Sequence, residues 1–157
     1  MLLTGEKGTG KTTLVRSLAE ILPEIEAMKG CPFHCAPYYS AKQCEECRWR
    51  KHIEIEKIPM KIVELPIGAT EDKVLGTINI EKAVKEKEIS FEMGILGKAN
   101  RTILYIDEVN LLPDYLVDMI LDSVATGWNT VEREGISYSH PAEFIRIVSM
   151  NPEEGDL

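Results

Sequence analysis

Gly5-Glu6-Lys7-Gly8-Thr9-Gly10-Lys11-Thr12 reads G-x-x-x-x-G-K-[ST], the pattern of a phosphate-binding P-loop. It follows the short apolar run Met1-Leu2-Leu3 and precedes residues that repeat at helical spacing. The stretch therefore sits where the motif must sit, between a strand and a helix. Its glycines let the backbone turn N–H groups toward phosphate oxygens at the positive end of the helix. Lys11 then reaches the β- and γ-phosphates, and the Thr12 hydroxyl ligates Mg²⁺. The expected nucleotide-binding set is Gly5, Glu6, Lys7, Gly8, Thr9, Gly10, Lys11, Thr12 and Thr13.

Working outward, the chain alternates strands and helices. Leu14, Val15, Leu18, Ala19 and Leu22 recur at helical spacing, and Pro23 ends the run, which predicts a helix over Thr12–Leu22. Met1–Thr4 and Lys61–Leu65 read as strands, the second stopped by Pro66. Gly68–Ile80 is rich in turn formers, Glu81–Lys87 looks helical, and Phe91–Asn100 has room for another short helix. Thr102-Ile103-Leu104-Tyr105-Ile106-Asp107 is apolar and partly β-branched, as a fully buried parallel strand is. A helix is expected over Leu111–Ala125, with Leu112, Leu116, Met119, Ile120 and Val124 on one face. Thr130–Ser139 reads as a hairpin turning at Glu134-Gly135, and Phe144–Met150 as a further buried strand. Such alternation predicts an α/β fold built on a parallel sheet.

At 157 residues the chain suits one domain. No apolar run approaches the ~20 residues that cross a membrane, and the start lacks the basic and long apolar parts of a signal peptide. A cytoplasmic protein is expected. The net charge of −8 argues against an extended nucleic-acid surface. The short basic patch Arg48-Trp49-Arg50-Lys51-His52 reads as a solvated helix end.

A second chemical motif closes the third strand. Ile103–Ile106 leads into Asp107-Glu108, and ligands in open α/β sheets bind at carboxyl ends of strands. Asp107 can meet the Mg²⁺ held by Thr12. Glu108 is placed to orient or deprotonate the water that attacks the γ-phosphate.

Asp107-Glu108 on a P-loop protein resembles the Walker B box of AAA+ ATPases. Longer words narrow the resemblance to the magnesium chelatase subunit I family. They are Leu65-Pro66-Ile67-Gly68-Ala69-Thr70-Glu71-Asp72, Gly76-Thr77-Ile78 and Ile80-Glu81-Lys82-Ala83, then Ala99-Asn100-Arg101 and Tyr105-Ile106-Asp107-Glu108-Val109-Asn110-Leu111-Leu112. Gly127-Trp128-Asn129-Thr130-Val131-Glu132-Arg133-Glu134-Gly135-Ile136 and Asn151-Pro152-Glu153-Glu154-Gly155 complete the set. The resemblance implies a P-loop three-layer sandwich with strands one to four of an AAA+ core. It implies ATP and Mg²⁺ as cofactors, with Lys11, Glu108 and Asn151 as catalytic residues, Asn151 at the sensor 1 position. It also implies a homo-oligomeric ring that works with a chelatase D-type subunit and a large catalytic subunit. On that partner Mg²⁺, or Co²⁺ in close relatives, enters a tetrapyrrole. Residues around Ile78–Gly97 correspond to the family's insertion in helix 2, and Thr130–Ser139 to its hairpin before sensor 1. An AAA+ remodelling chaperone and a non-hydrolysing nucleotide-binding module are the competing readings.

Measured against that family, residues 1–157 form a partial core without the fifth strand, the arginine finger or the helical lid. The expectation is a fragment or split gene whose isolated chain binds nucleotide weakly and turns it over slowly. Without a fifth strand, the first strand becomes an apolar edge.

Cys31-x3-Cys35-x8-Cys44-x2-Cys47 gathers every cysteine into an insertion at residues 30–52. Two close pairs of thiols suit tetrahedral Zn²⁺, and a metal would supply folding energy to a segment with little apolar content. An iron–sulfur cluster, a disulfide or redox pair, and free thiols stand as alternatives. His34 and His52 are substitute ligands in the same stretch.

Overall fold

Ile103, Leu104, Tyr105 and Ile106 are all buried, as an inner strand covered on both faces must be. The computed structural model describes residues 2–4 and 10–150. In chain order its elements are β1 (Leu2–Thr4), α1 (Lys11–Ile21), β2 (Ile25–Met28), α2 (Glu45–Arg48), β3 (Ile55–Ile58), β4 (Ile62–Leu65), α3 (Glu71–Leu75) and β5 (Gly76–Ile78). They continue with α4 (Ile80–Glu86), β6 (Phe91–Met93), α5 (Ile95–Lys98), β7 (Ile103–Ile106), α6 (Asp114–Thr126), β8 (Trp128–Arg133), β9 (Ile136–Pro141) and β10 (Ile145–Met150).

The central sheet has the order β1-β10-β7-β4, and all its pairs are parallel. Alternate residues of β7 serve opposite layers, as the two-residue period of a strand requires. Leu104 and Ile106 join Leu65, Leu116 and Ile120 on the α6 side. Ile103 and Tyr105 join Val15 and Ile147 on the α1 side. The result is the expected three-layer α/β sandwich. Among the described residues β1 is an outer strand. An apolar groove of about 270 Å³ beside it is lined by Leu2, Ile106, Val117, Leu121 and Val148 among others.

Three small antiparallel ribbons decorate the sheet. β8 and β9 form the expected hairpin, and Glu134 and Gly135 both have positive φ, 49° and 80°. That is the turn whose twist suits a two-residue hairpin loop. β2 pairs with β3, so the cysteine-bearing segment is carried on a ribbon that local patterning does not announce. β5 pairs with β6 and brackets α4.

Several local expectations need correction. Gly68–Ile80 is not only turns: Thr70 caps α3, accepting from the Lys73 N–H at 3.4 Å, and Gly76 ends it at φ 91°. A helix of five residues is too short for periodicity to reveal. Phe91–Asn100 holds the expected short helix, α5, but opens as a strand, because Phe91 lies opposite Ile78 across the ribbon. The helix expected from Leu111 begins at Asp114, because Pro113 holds Leu112 in extended backbone, φ −77° and ψ 142°. Val124 is 41% exposed, and Ser123 takes its place in the stripe of Leu116 and Ile120.

Gly94 shows how closely the end of β6 packs on the junction of α3 and β5. A Cβ there would lie 2.4 Å from the Gly76 nitrogen and 2.7 Å from the Val74 carbonyl oxygen. Gly94→Ala is expected to lower unfolding free energy by about 1–3 kcal/mol in urea titrations. An unchanged midpoint would show that α3 and β5 can move aside.

His140 is fully buried. Its Nε2 lies 3.0 Å from the Asn129 Nδ2, which can only donate, and its Nδ1 lies 2.9 Å from the Pro141 carbonyl oxygen, which can only accept. The ring is therefore neutral with its proton on Nδ1. Burial, partly opposed by the bond to Pro141, lowers its pKa. Half-buried His34 shifts the same way, through burial first and then Lys61. Folded histidines that bind protons less readily than unfolded ones give full stability above about pH 6.5 and lose it as pH falls below. The urea midpoint is expected to drop between about pH 7.5 and about pH 5.5. Over the same range ¹⁵N spectra should keep the His140 ring neutral in the folded protein. A ring that charges at the free-histidine value would contradict this assignment.

Candidate nucleotide-binding site

The three strand ends that matter lie side by side. Thr4 of β1 pairs with Met150 of β10, and Ile106 of β7 pairs with Val148 of β10. β10 therefore separates the P-loop strand from the strand that carries Asp107 and Glu108. Two strand spacings of about 4.8 Å leave roughly 10 Å between them, enough for a phosphate group with its counter-ion and a water.

From the P-loop side, Gly10 caps α1 in left-handed backbone, φ 80°, and its carbonyl accepts from the Leu14 N–H at 2.9 Å. Lys11 and Thr12 follow in the first turn, half-buried, while Thr13 is exposed. Gly5, Glu6, Lys7, Gly8 and Thr9 lie outside the described residues, as does Asn151.

On the acidic side, Ser149 of β10 does most of the positioning. Its hydroxyl donates to Asp107 Oδ1 at 2.5 Å and accepts from the Glu108 backbone N–H at 3.0 Å. Tyr105 adds a longer bond from its hydroxyl to the same Oδ1, 3.5 Å. Glu108 is itself buried and holds a left-handed φ of 52°, a conformation that a glutamate adopts only under local constraint. Ser149 supplies that constraint. The sequence reading did not single it out, because a serine in an apolar strand carries no motif. Asn110, two residues beyond Glu108, is the other omission. Both polar atoms of its side chain are buried without a hydrogen-bond partner among the described residues. A buried amide in that state is costly unless a ligand or partner completes it.

Far from this site, Cys31, Cys35, Cys44 and Cys47 are all buried and free of disulfides. Hydrogen bonds from Cys35 and Cys44 push the Cys31 thiol down. The same bonds push Cys35 and Cys44 up, and burial does so for Cys47.

The sequence profile of the ATPase family associated with various cellular activities (AAA) matches residues 1–115. The chain belongs to the AAA ATPase family. Within that family it is similar to a magnesium-chelatase subunit ChlI homolog of Methanocaldococcus jannaschii, 54% identical over the whole chain and 43% of the relative. It is 55% identical to the chloroplastic magnesium-chelatase subunit ChlI of Nicotiana tabacum, covering 38% of it. For the magnesium-chelatase subunit ChlI of a Synechocystis strain the figures are 54% and 45%. The chain thus spans about two fifths of the length of these relatives. A chain in a cryo-EM-based structure of the complex between subunits BchI and BchD of magnesium chelatase superposes with a TM-score of 0.82 at 46% identity, over all of this chain and 48% of that one. The AAA core therefore holds the expected sandwich. Among the described residues no helix is long and apolar enough to cross a membrane.

Ser149→Ala removes the donor to Asp107 and leaves the buried Glu108 N–H without its acceptor. It is expected to cost about 1–3 kcal/mol of unfolding free energy in urea titrations. A variant as stable as the wild type would mean that the acidic turn is held by something else.

Proposed function

We propose that this chain is the nucleotide-binding core of a motor subunit of the magnesium-chelatase I type, which couples ATP hydrolysis to metal insertion by a partner. The observation that carries the ATPase part is the acidic pair Asp107-Glu108, fixed by Ser149 of β10, the strand that lies between β7 and the P-loop strand. The chelatase part is supported by identity above 50% to ChlI subunits over the whole chain.

The residues fit ATP and Mg²⁺: a lysine and a hydroxyl in the first turn of α1, two carboxylates opposite, and an unpartnered buried amide at Asn110. Mg²⁺, when bound, offsets negative charge on the β- and γ-phosphate oxygens. In this reading Thr12 and Asp107 hold the ion, and Lys11 neutralises phosphate charge. Gly5 to Thr9 and Gly10 wrap the phosphates with backbone N–H groups, with Thr13 beside them. Ser149 and Tyr105 occupy Asp107 Oδ1, which leaves Oδ2 to face the ion. Glu108 takes a proton from the attacking water or orients it, and Asn151 positions that water or the γ-phosphate. The reading includes a homo-oligomeric ring, D-type and large catalytic partner subunits, a cytoplasmic site of action, and the partner as the place where Mg²⁺ or Co²⁺ meets its tetrapyrrole. The helix 2 insertion and the β8–β9 hairpin are the elements offered to pore or partner, and residues 30–52 form an insertion within the core.

Calorimetric titration of Mg-ATP tests the proposal. Lys11→Ala should weaken binding by about tenfold or more, while Glu108→Gln should bind nearly as wild type and hydrolyse at least about 100-fold more slowly once the ring is complete. Equal binding by wild type and Lys11→Ala would reject the site. Failure to co-purify with a chelatase D-type subunit would reject the chelatase assignment and leave a remodelling ATPase.

A further inference from the structure

The Sγ atoms of Cys31, Cys35, Cys44 and Cys47 lie within 4.8 Å of one another, and those of Cys31 and Cys44 are 3.8 Å apart. Thiolates at about 2.3 Å from a tetrahedral zinc ion stand about 3.8 Å apart along each edge. A disulfide needs its sulfurs about 2.05 Å apart. A polynuclear iron–sulfur cluster must fit several irons and sulfides between the same four sulfurs, and there is no space for them. The gap is the size of one ion.

Backbone geometry aims the two pairs at that gap. In the first loop the Cys31 N–H donates to the Met28 carbonyl at 3.2 Å, the His34 N–H to Cys31 at 3.2 Å, and the Met28 N–H to Cys35 at 3.0 Å. In the second the Arg48 N–H donates to Cys44 at 3.1 Å and the Arg50 N–H to Cys47 at 3.3 Å. The Cys44 N–H points at Cys35 Sγ, 3.2 Å away, a bond of the kind that steadies a thiolate ligand. Arg50 Nη1 donates to the Lys29 carbonyl at 2.7 Å and Arg101 Nη1 to the His34 carbonyl at 2.8 Å, so both side chains lie against the ligand loops. Both guanidinium groups oppose the charge of a four-thiolate complex, which is −2 with a divalent ion.

We infer that these four thiolates bind one Zn²⁺ in a closed structural site, and that the ion clamps the insertion to the amino-terminal end of the central sheet. All four ligand positions are filled by buried cysteines, so no position is left for a substrate. Mg²⁺ prefers oxygen ligands, which separates this ion from any cargo metal. The clamp runs through particular residues. Arg101 Nη1, just before β7, donates to the Glu26 carbonyl at 2.6 Å and the His34 carbonyl at 2.8 Å. Asn100 Nδ2 donates to the Phe33 carbonyl at 2.7 Å, and its Oδ1 accepts from the Glu143 N–H at 3.0 Å. Phe33, between Cys31 and Cys35, stacks on His140 of β9 with ring centres 4.7 Å apart. Phe91 of β6 stacks on Tyr138 of β9 at 4.5 Å. Fixing the four sulfurs therefore fixes Phe33, and through it the β8–β9 hairpin and the β5–β6 ribbon.

The inference stands apart from the nucleotide reading, and its test does not use ATP. Protein purified without added zinc should carry about one equivalent of zinc per chain, with four thiols that react only after chelation or denaturation. Exchange into Co²⁺ should give the intense visible bands of a tetrahedral thiolate site. Removing the metal should speed hydrogen exchange in β8, β9 and residues 31–35, while β7 and β10 stay protected. Less than about half an equivalent of metal with four reactive thiols would overturn the site, as would stoichiometric iron in place of zinc. Cys44→Ser retaining a full equivalent would overturn the four-ligand set, and the wild-type assay stands whether or not that variant folds. Uniform exchange across the sheet after chelation would overturn the clamp.

Discussion

The insertion of β10 between β1 and β7 is the constraint on which the rest depends. Had β7 paired directly with β1, Asp107 would stand a single strand spacing of about 4.8 Å from the line of β1, too near for phosphate, ion and water together. With β10 between them the gap doubles, and β10 brings its own residue to the junction. Ser149 reaches Asp107 and the Glu108 backbone together, so the pairing that opens the gap also orients the acids beside it. The same pairing seals the core, because Ile147 and Val148 of β10 face opposite layers.

The molecule separates its two centres along the strands. The proposed nucleotide site lies at the carboxyl ends, where Asp107 and Ser149 meet. The cysteine cluster binds to the amino end through Asn100 and Arg101. Four residues of β7 put about 13 Å between those ends. The β8–β9 hairpin touches the cysteine end through His140 and Tyr138, and its other strand reaches β5 through Arg133, whose Nη1 donates to Thr77 Oγ1 at 2.6 Å. An ion at the cysteines can therefore stiffen the hairpin without touching the nucleotide.

Much of this was legible in the chain. The P-loop pattern, the buried run Ile103–Ile106, the Glu134-Gly135 turn and the cysteine spacing each satisfy a local rule, and the last three lie where that rule puts them. The misses are of another kind. β2, β3, β5 and β6 are three or four residues long, and each is a strand only because a distant segment pairs with it. Ser149 carried no signal, and Asn100 and Arg101 were seen only as part of a family word, since what a serine in a strand or an Asn-Arg pair in a turn does is set by partners far along the chain.

The sequence by itself determined the chemistry available: a glycine-rich phosphate loop, a carboxylate pair after an apolar strand, and four thiols in a short insertion. Those depend on residue type and local spacing, which a chain carries unfolded. Only the tertiary structure decided which groups cooperate. The order β1-β10-β7-β4, the hydroxyl between Asp107 and Glu108, and the stacking of Phe33 on His140 all join residues more than 40 positions apart. Contacts of that range arise from burying both faces of one sheet at once, and no local pattern encodes them.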